Sequence, residues 1–540
     1  MASPLPLLPL LLLAAGAYIL VHAARSIHAH LTCPLRNLPG PDRGDRVFGH
    51  FKLLINDYDL TNRWRATFGT NFVYRGLFNK RELYTADLSA LKHILVNDMI
   101  YQKPPPMRQT MESLVGNGLT VVEGEEHRRQ RKILNPAFSI PATRDLTEIF
   151  TQKSVQLRDL WLRQLGHADS QRIDAFAWLR KMTLEVIAEA GFNYHLNALE
   201  PSGPPNELVQ ALEKLIVRET PRETAFRFAQ ASIPVLRLFP TGVGKAVPAA
   251  RAEMFRIGGR LLAESKAAAA ADLNPFGGKK AARRRDLLSV MVQSNMLDDE
   301  SVRMSDADVI AQIPANFTAG HDTSSTSSAW LLHALSLNRA CQTKLRQELL
   351  TVHTDNPSMD ELNSLPYLDW VIREAMRAYT PVATTFRVAM QDDVLPLSKP
   401  YVDRHGVVRD TIPLRKGTLI RVPIEAVHLD KDIWGPDAHE FKPERWECIP
   451  EAAKNIPSAW GNLLTFLAGP RNCIASRFSV VEMKSLLFTL VRAFEIDAAV
   501  PAGEIIPTAS ALHRPRVRSE LGKGAQLPLV LRRYVPVDQY

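Results

Sequence analysis

Residues 5–24 read LPLLPLLLLAAGAYILVHAA, twenty positions with no charge except a conditional one on His22. About twenty apolar residues span a bilayer core as a helix, so this stretch either needs lipid or is removed. Pro6 and Pro9 stand near its start, where a helix tolerates proline best. Arg25, His28, His30 and Arg36 follow at once. Positive charge on the C-terminal flank predicts that this flank is cytosolic and the N-terminus lumenal. The rival reading is a cleaved signal peptide. Val21-His22-Ala23 resembles a cleavage site only loosely, and no basic region precedes the apolar run. The expected organisation is a short lumenal N-terminus (1–4), a transmembrane anchor (5–24), a Pro/Gly linker (25–50) and one folded domain (51–540).

The body can bury a large core: 46% of the 540 residues are apolar and 23% are charged, which excludes a disordered chain and a polyelectrolyte. A net charge of +9 fits an acidic partner or a membrane surface, and no nucleic-acid partner is expected. The cysteines are Cys33, Cys341, Cys448 and Cys473, without a CxxC pair or zinc spacing. Any special cysteine therefore acts alone. Short apolar runs alternating with turn residues, as in Asn71–Arg75, predict strands over 51–100, with a helix near 88–97. Residues 125–350 are helical in pattern, with breaks at 201–205 and 274–278 and a basic run, 279–285, that reads as a solvated loop. Short strands return over 380–430, and a last long helix covers about 476–494. The fold class is mainly helical with small β-sheets.

Phe466-Leu467-Ala468-Gly469-Pro470-Arg471-Asn472-Cys473-Ile474-Ala475-Ser476 places a lone cysteine after a tight turn and just before a helix. Free backbone N–H groups at a helix start, with Arg471 nearby, are expected to lower the thiol pKa. A thiolate so held can ligate haem iron; the alternative, and the default for an isolated cysteine, is an inert buried residue. The segment resembles the cytochrome P-450 signature F-x-x-G-x-R-x-C-x-G, matching at Phe466, Gly469, Arg471 and Cys473. Ala475 stands where that family usually has Gly, and its methyl is expected to be a tolerated tightening.

Further motifs follow the same family order. Glu374 and Arg377, three apart on one helical face, resemble its E-x-x-R. Phe441-Lys442-Pro443-Glu444-Arg445-Trp446 resembles its P-E-R-F/W segment. The resemblance implies a buried structural triad of Glu374, Arg377 and Arg445 beneath the cysteine loop. Ser305 with Asp308 forms a capping box opening a helix that runs to about Leu337. Ala319-Gly320-His321-Asp322-Thr323-Ser324 resembles the family's oxygen-activating segment. The resemblance implies a locally widened helix, small residues 319 and 320 lying close to the macrocycle, and a proton relay through Asp322 and Thr323. Pro314 is expected to kink this helix.

His127-x-x-x-Arg131 stands where the family has W-x-x-x-R, so Arg131, and His127 in place of the Trp indole, are implied partners of a haem propionate. A surface histidine is the other reading of His127. Arg387 and Arg471 complete the implied set, since guanidinium forks suit carboxylates. Arg128, Arg129, Lys132, Arg477 and Lys484 form either a docking patch for an acidic reductase or a solvated basic face. Substrate contacts are implied at the loop from Met107 to Thr120, at Ala315, Phe317 and Ala319, at Val382, Ala383 and Thr385, and near Thr508.

The resemblance covers roughly residues 38–535 and includes the family's major motifs. It implies a P-450 fold preceded by one transmembrane helix, with haem b held by the Cys473 thiolate. The implied reaction is monooxygenation of a lipophilic small molecule by O2, plausibly a terpenoid or other secondary metabolite, at the endoplasmic reticulum membrane. Electrons come from NADPH through a cytochrome P-450 reductase, with cytochrome b5 as a further partner. Two alternatives stay open: a reductase-independent isomerase or hydroperoxide-rearranging enzyme, and a non-catalytic haem sensor or carrier.

Overall fold

The longest helical pattern, Asp306–Leu337, forms one helix in the computed structural model. The structure describes residues 31–200, 206–215, 242–272, 286–297 and 303–536 apart from 509 and 511, with a few isolated positions besides. The predicted anchor lies almost wholly outside the described residues, as do the breaks at 201–205 and 274–278 and the basic run 279–285. Among the described residues no helix is long and apolar enough to cross a membrane.

Seven helices position the site: α1 (Gly124–Leu134), α2 (Ile140–Leu165), α3 (Ala175–Phe192), α4 (Gly242–Asp272), α5 (Asp306–Leu337), α6 (Pro366–Ala378) and α7 (Ser476–Ala493). The strands used below are β1 (Asn71–Arg75), β2 (Arg81–Thr85), β3 (Gln171–Asp174), β4 (Thr385–Ala389), β5 (Asp393–Val402) and β6 (Val408–Leu414). They continue with β7 (Leu419–Val422), β8 (Phe494–Ala498), β9 (Ile505–Pro507), β10 (Pro515–Val517) and β11 (Pro528–Arg533).

The chain divides into two compact units, residues 1–94 with 386–422 and residues 95–385 with 423–540. In the first unit β1 and β2 form an antiparallel hairpin, and β2 runs parallel to β7. Phe72 and Tyr84, opposite each other in that hairpin, stack at 4.2 Å, the kind of cross-strand pair that stabilises a sheet. β5 and β6 make a separate antiparallel ribbon.

The second unit is a helical core with two small sheets, β3–β11–β8 and the β9–β10 hairpin. Aromatic contacts join its central helices. Phe150 of α2 meets Phe478 of α7 edge-on at 4.6 Å, and Phe192 of α3 stacks on Phe317 of α5 at 4.8 Å. Gly320 lets α3 and α5 approach: a Cβ there would stand 2.9 Å from Ile187. Its missing side chain makes room for α3. Thr183 ties the same helices by donating to the carbonyl of His321 at 2.9 Å. In α6 the positions 368, 371, 372 and 375 form the apolar stripe that a helix buries.

Pro314 does not break α5, which stays helical from 306 to 337. The proline lacks the N–H that would bond to the carbonyl four residues back. One turn on, the Asn316 side chain donates to the Gln312 carbonyl at 2.7 Å. Nor is the helix widened at 319–323, where it remains α.

Candidate haem-thiolate site

The cysteine turn needs its glycine. Gly469 has φ +68°, and a Cβ there would meet the Leu95 carbonyl oxygen at 2.1 Å, so glycine satisfies both backbone and space. The Cys473 N–H donates to the Phe466 carbonyl at 2.9 Å, closing the turn, while the Phe466 ring packs edge-on against Trp460 at 5.4 Å. Ala475 is the N-cap of α7 at φ −94°, a backbone conformation open to any residue. Alanine in place of the family's glycine is thus conformationally compatible there.

Cys473 is both accessible by surface area and embedded in protein. Burial pushes its thiol up, against the pull of the Ala475 N–H and of Arg131. The helix start alone would lower the thiol, but desolvation by the surrounding protein outweighs it. Arg131 donates to the Asn472 carbonyl at 2.6 Å and also bonds the Asn472 side chain, so it holds the cysteine loop itself.

Around this loop gathers a cationic wall. Arg471 pairs with Glu123 and donates to the Val122 carbonyl at 2.7 Å, but its Nη1 is buried without a partner. His127 is buried, not on the surface, and its Nδ1 is also unpartnered. Burial first, then Arg471, Lys103 and Arg131, hold His127 down to about 3, so it is a neutral imidazole. Buried unpaired polar atoms are costly. A haem fits these residues: a sulfur for the iron, and guanidinium and imidazole groups for propionate oxygens. Arg387 belongs to the first unit, where it is buried and donates to the Phe386 carbonyl at 2.8 Å.

The fold brings Glu374, Arg377 and Arg445 together. Arg377 and Glu374 are fully buried and form two hydrogen bonds, at 2.7 and 2.9 Å. Arg445 lies 3.5 Å from Glu374 but only 2.8 Å from Asp437, a partner the motif does not reveal. Trp446 donates its indole N–H to Glu374 at 3.1 Å, and the Lys442 backbone N–H donates at 2.9 Å. Arg377 further binds the carbonyls of His428, Ala438 and Glu440. His428, fully buried and held down to about 3 by burial and then by Arg377, accepts the Leu464 N–H on Nε2 at 2.8 Å. Thr465 donates to the Met376 carbonyl at 3.2 Å. The triad is thereby fastened to 464–466, the segment whose Phe466 carbonyl receives the Cys473 N–H.

Asp437 supplies a pH test. The Arg445 hydrogen bond leads the causes that lower its carboxyl to about 2. A depressed carboxylate stabilises the fold above its unfolded pKa and ceases to as pH falls from about 4 to about 2. Asp437→Asn is expected to lower the urea midpoint at pH 7 by the equivalent of about 1 kcal/mol, the upper range for a partly exposed pair. The deficit should persist at pH 5 and shrink as pH approaches 3. A deficit that grows on acidification would contradict this pairing.

α5 crosses the same region. Thr318 and Ala319 are exposed and Thr323 is half-buried, although most of the helix is buried. The Thr323 hydroxyl donates to the Ala319 carbonyl at 2.6 Å. Asp322 does not face it. Both carboxylate oxygens bind Arg514, one at 3.0 Å, in a bidentate pair. Arg514 leads the influences that hold the Asp322 carboxyl below its usual range, against the larger opposing effect of burial. Arg514 comes from the segment between β9 and β10, where its N–H is received by the Thr508 hydroxyl at 3.0 Å. Motif spacing could not show this, because Arg514 lies 192 residues from Asp322. A second unforeseen residue is Glu482 of α7. Burial pushes its carboxyl up to about 8 despite Ser324, and its two oxygens lack hydrogen-bond partners.

The implied pocket residues divide. Ala315 packs with Val115, Val121, Met111 and Leu114, joining α5 to the 111–121 segment. Phe317 packs into the α3–α5 interface against Phe192 and is fully buried. Val382 bridges to Leu512, and Ala383 accepts the Glu425 N–H at 3.0 Å, which places both beside the segment carrying Thr508 and Arg514. Thr385 begins β4 at the boundary of the two units.

The implied docking patch also changes. Lys484 is buried and paired with Asp369 at 3.1 Å. Arg128 pairs with Glu125 at 2.7 Å and Arg129 with Glu126 at 2.7 Å. Lys132 and Arg477 alone of the five remain exposed without an ion pair among the described residues.

A cysteine presented by a glycine turn, a cationic wall and a fully buried Glu–Arg pair define a haem-thiolate protein. The Cytochrome P450 family model matches residues 39–516, and the chain belongs to that family. It is 45% identical to cytochrome P450 monooxygenase 128 of Postia placenta, covering 97% of this chain and 98% of that one. It is also 45% identical to cytochrome P450 monooxygenase 205 of the same fungus, over 93% and 94%. Cytochrome P450 monooxygenase claO of Ampulloclitocybe clavipes is 32% identical over 93% of each chain. The protein is accordingly an oxidoreductase of the P450 monooxygenase class, acting with O2 on a small molecule.

Proposed function

We propose that this enzyme hydroxylates, or similarly oxidises, a lipophilic small molecule with electrons drawn from NADPH through a reductase. The observation that carries the substrate class is the apolar cluster of Ala315, Val115, Val121, Met111 and Leu114 beside the exposed Ala319. Such a lining selects by shape and desolvation. A terpenoid or other secondary metabolite suits it. The apolar run 5–24 supports a single-pass anchor in the endoplasmic reticulum membrane with the catalytic body in the cytosol, where a lipid-soluble substrate concentrates.

When bound, haem supplies the oxygen-activating redox chemistry. The chain supplies the rest. Arg131 braces the cysteine loop, and neutral His127 and Arg471 Nη1 offer donors to carboxylates. Thr323 holds a hydroxyl proton on the Ala319 carbonyl, one residue from ionised Asp322. Proton movement along α5 then requires Asp322 to leave at least one of its Arg514 bonds, because both oxygens are engaged. Lys132 and Arg477 remain as exposed cations for an acidic reductase surface.

The test joins a spectrum to turnover. The reduced, carbon monoxide-bound protein is expected to show the red-shifted Soret band of thiolate ligation, and Cys473→Ala to lose it. Product formation should consume NADPH only when reductase is present. A band surviving in Cys473→Ala would refute the ligand, and turnover without reductase would refute the electron route.

A further inference from the structure

A cavity of about 430 Å³ opens in the second unit between α2, the end of α7 and the end of β11. Arg492 of α7 lines it, about 25 Å along that helix from the N-cap Ala475, so the cavity is separate from the cysteine site. Its accessible apolar wall is made by the half-buried Leu162, Leu350 and Tyr534. The tyrosine is fixed in place. Its backbone N–H donates to the Ala493 carbonyl at 2.9 Å, and the Arg346 guanidinium lies 4.5 Å from its ring centroid. Arg346 is itself buried and donates to the carbonyls of Val491 and Phe494 at 2.8 and 2.7 Å. A wall already ordered in this way loses little freedom when a ligand settles on it.

The polar part of the lining carries a definite charge. Arg158, Arg492 and Arg533 line the cavity together with one carboxylate, Asp355. Asp355 bridges two of them, with Arg158 at 3.3 Å and Arg492 at 3.1 Å. Asp159 takes a second bond from Arg158 at 2.8 Å, and Arg492 also donates to the Thr354 carbonyl at 2.7 Å. Arg533 is exposed and forms no ion pair among the described residues. Two carboxylates against three guanidinium groups leave one positive charge, and it rests on Arg533. One charge matches a carboxylate. A phosphate, with up to two negative charges, would be left under-neutralised beside Asp355.

We infer that this cavity binds a small apolar monocarboxylate, with its carboxylate on Arg533 and its apolar body against Leu162, Leu350 and Tyr534. The guanidinium fork of Arg533 matches the two carboxylate oxygens. The Tyr534 ring offers a face to an aryl group, and the two leucines offer area to an aryl or an alkyl body. A ligand with both parts gains from desolvation and from charge at once, which neither water nor a simple ion provides.

Photolabelling of the haem-loaded, full-length enzyme tests the site, with cross-links located by mass spectrometry. The probe is 4-benzoylbenzoate, and its neutral counterpart 4-benzoylbenzamide is the control. The acid is expected to label the peptides carrying Leu162 and Leu350 about tenfold more than the amide does, the usual worth of one charge-assisted hydrogen bond. Arg533→Gln, checked by its carbon monoxide spectrum, should bring labelling by the acid down to the level of the amide. Unlabelled 2-naphthoate and octanoate should both compete. Stronger competition by 2-naphthoate assigns an aryl ligand, and stronger competition by octanoate an alkyl one. Equal labelling by acid and amide at these peptides, or undiminished labelling in a correctly folded Arg533→Gln, would overturn the proposal. So would 2-naphthyl phosphate competing at a lower concentration than 2-naphthoate. Should Arg533→Gln misfold, the comparison of acid with amide on the wild type decides.

Discussion

Arg377→Ala is expected to yield protein with almost no haem and a fold weakened by about 3–5 kcal/mol, the usual cost of stranding a buried charge. The magnitude follows from geometry. Arg377 is fully buried and makes five hydrogen bonds, two to Glu374 and one each to the carbonyls of His428, Ala438 and Glu440. Removing it leaves the Glu374 carboxylate with Arg445 at 3.5 Å, Trp446 and the Lys442 N–H. It also frees the 428 segment from α6. Because His428 receives the Leu464 N–H, the disturbance reaches the turn that sets Cys473. Arg377→Lys should recover only part of the loss, since an ammonium cannot form the two-pronged bond to Glu374. The ratio of Soret to protein absorbance and the urea midpoint measure the two effects. Arg377→Ala purified with full haem and an unchanged midpoint would show that the triad does not support the cysteine loop.

Arg514→Met is expected to cut product formed per NADPH by about tenfold to a hundredfold while sparing the fold, a size typical of disabled acid–base relay. In the native protein Arg514 keeps Asp322 ionised inside a buried setting. Without the guanidinium, burial dominates and the carboxyl pKa rises. The sign is definite. The wild-type acid stays ionised at neutral pH, whereas the variant should gain an acid limb in its pH–rate profile at higher pH. Asp322→Asn should lose turnover without that shifted limb, and the double variant should be no worse than Asp322→Asn alone, because the two residues act as a unit. A larger solvent isotope effect in Arg514→Met would mark proton delivery as slowed. Equal coupling and an unshifted pH profile would remove Asp322–Arg514 from the reaction.

Much of this protein was legible in its sequence where the physics is local. Gly469 is demanded by a left-handed turn and a carbonyl 2.1 Å away from any Cβ, so the motif around Cys473 announces its own geometry. Glu374 and Arg377 are three residues apart on one helix, and helical spacing alone makes them neighbours. The span of α5 and the strand at Asn71–Arg75 follow from capping and from a short apolar run between turn residues.

What the sequence could not show rests on contacts between distant segments. Phe317 and Gly320 sit beside plausible pocket positions, yet α3 claims both through Phe192 and Ile187. Lys484 reads as a surface cation until Asp369 and Asn363 bury it. The thiol of Cys473 was expected to be lowered by a helix start, but desolvation by the assembled protein reverses the sign. Asp437 joins the triad, Arg514 seizes Asp322, and Arg404 clamps the Leu38 and Gly40 carbonyls only after the chain has folded. The sequence by itself marked the cysteine loop, the Glu374–Arg377 pair and the helices, because each depends on residues within a few positions of one another. Tertiary structure alone decided which charges are paired, which are buried and which are left to meet a ligand, because electrostatic energy depends on distance and desolvation in space.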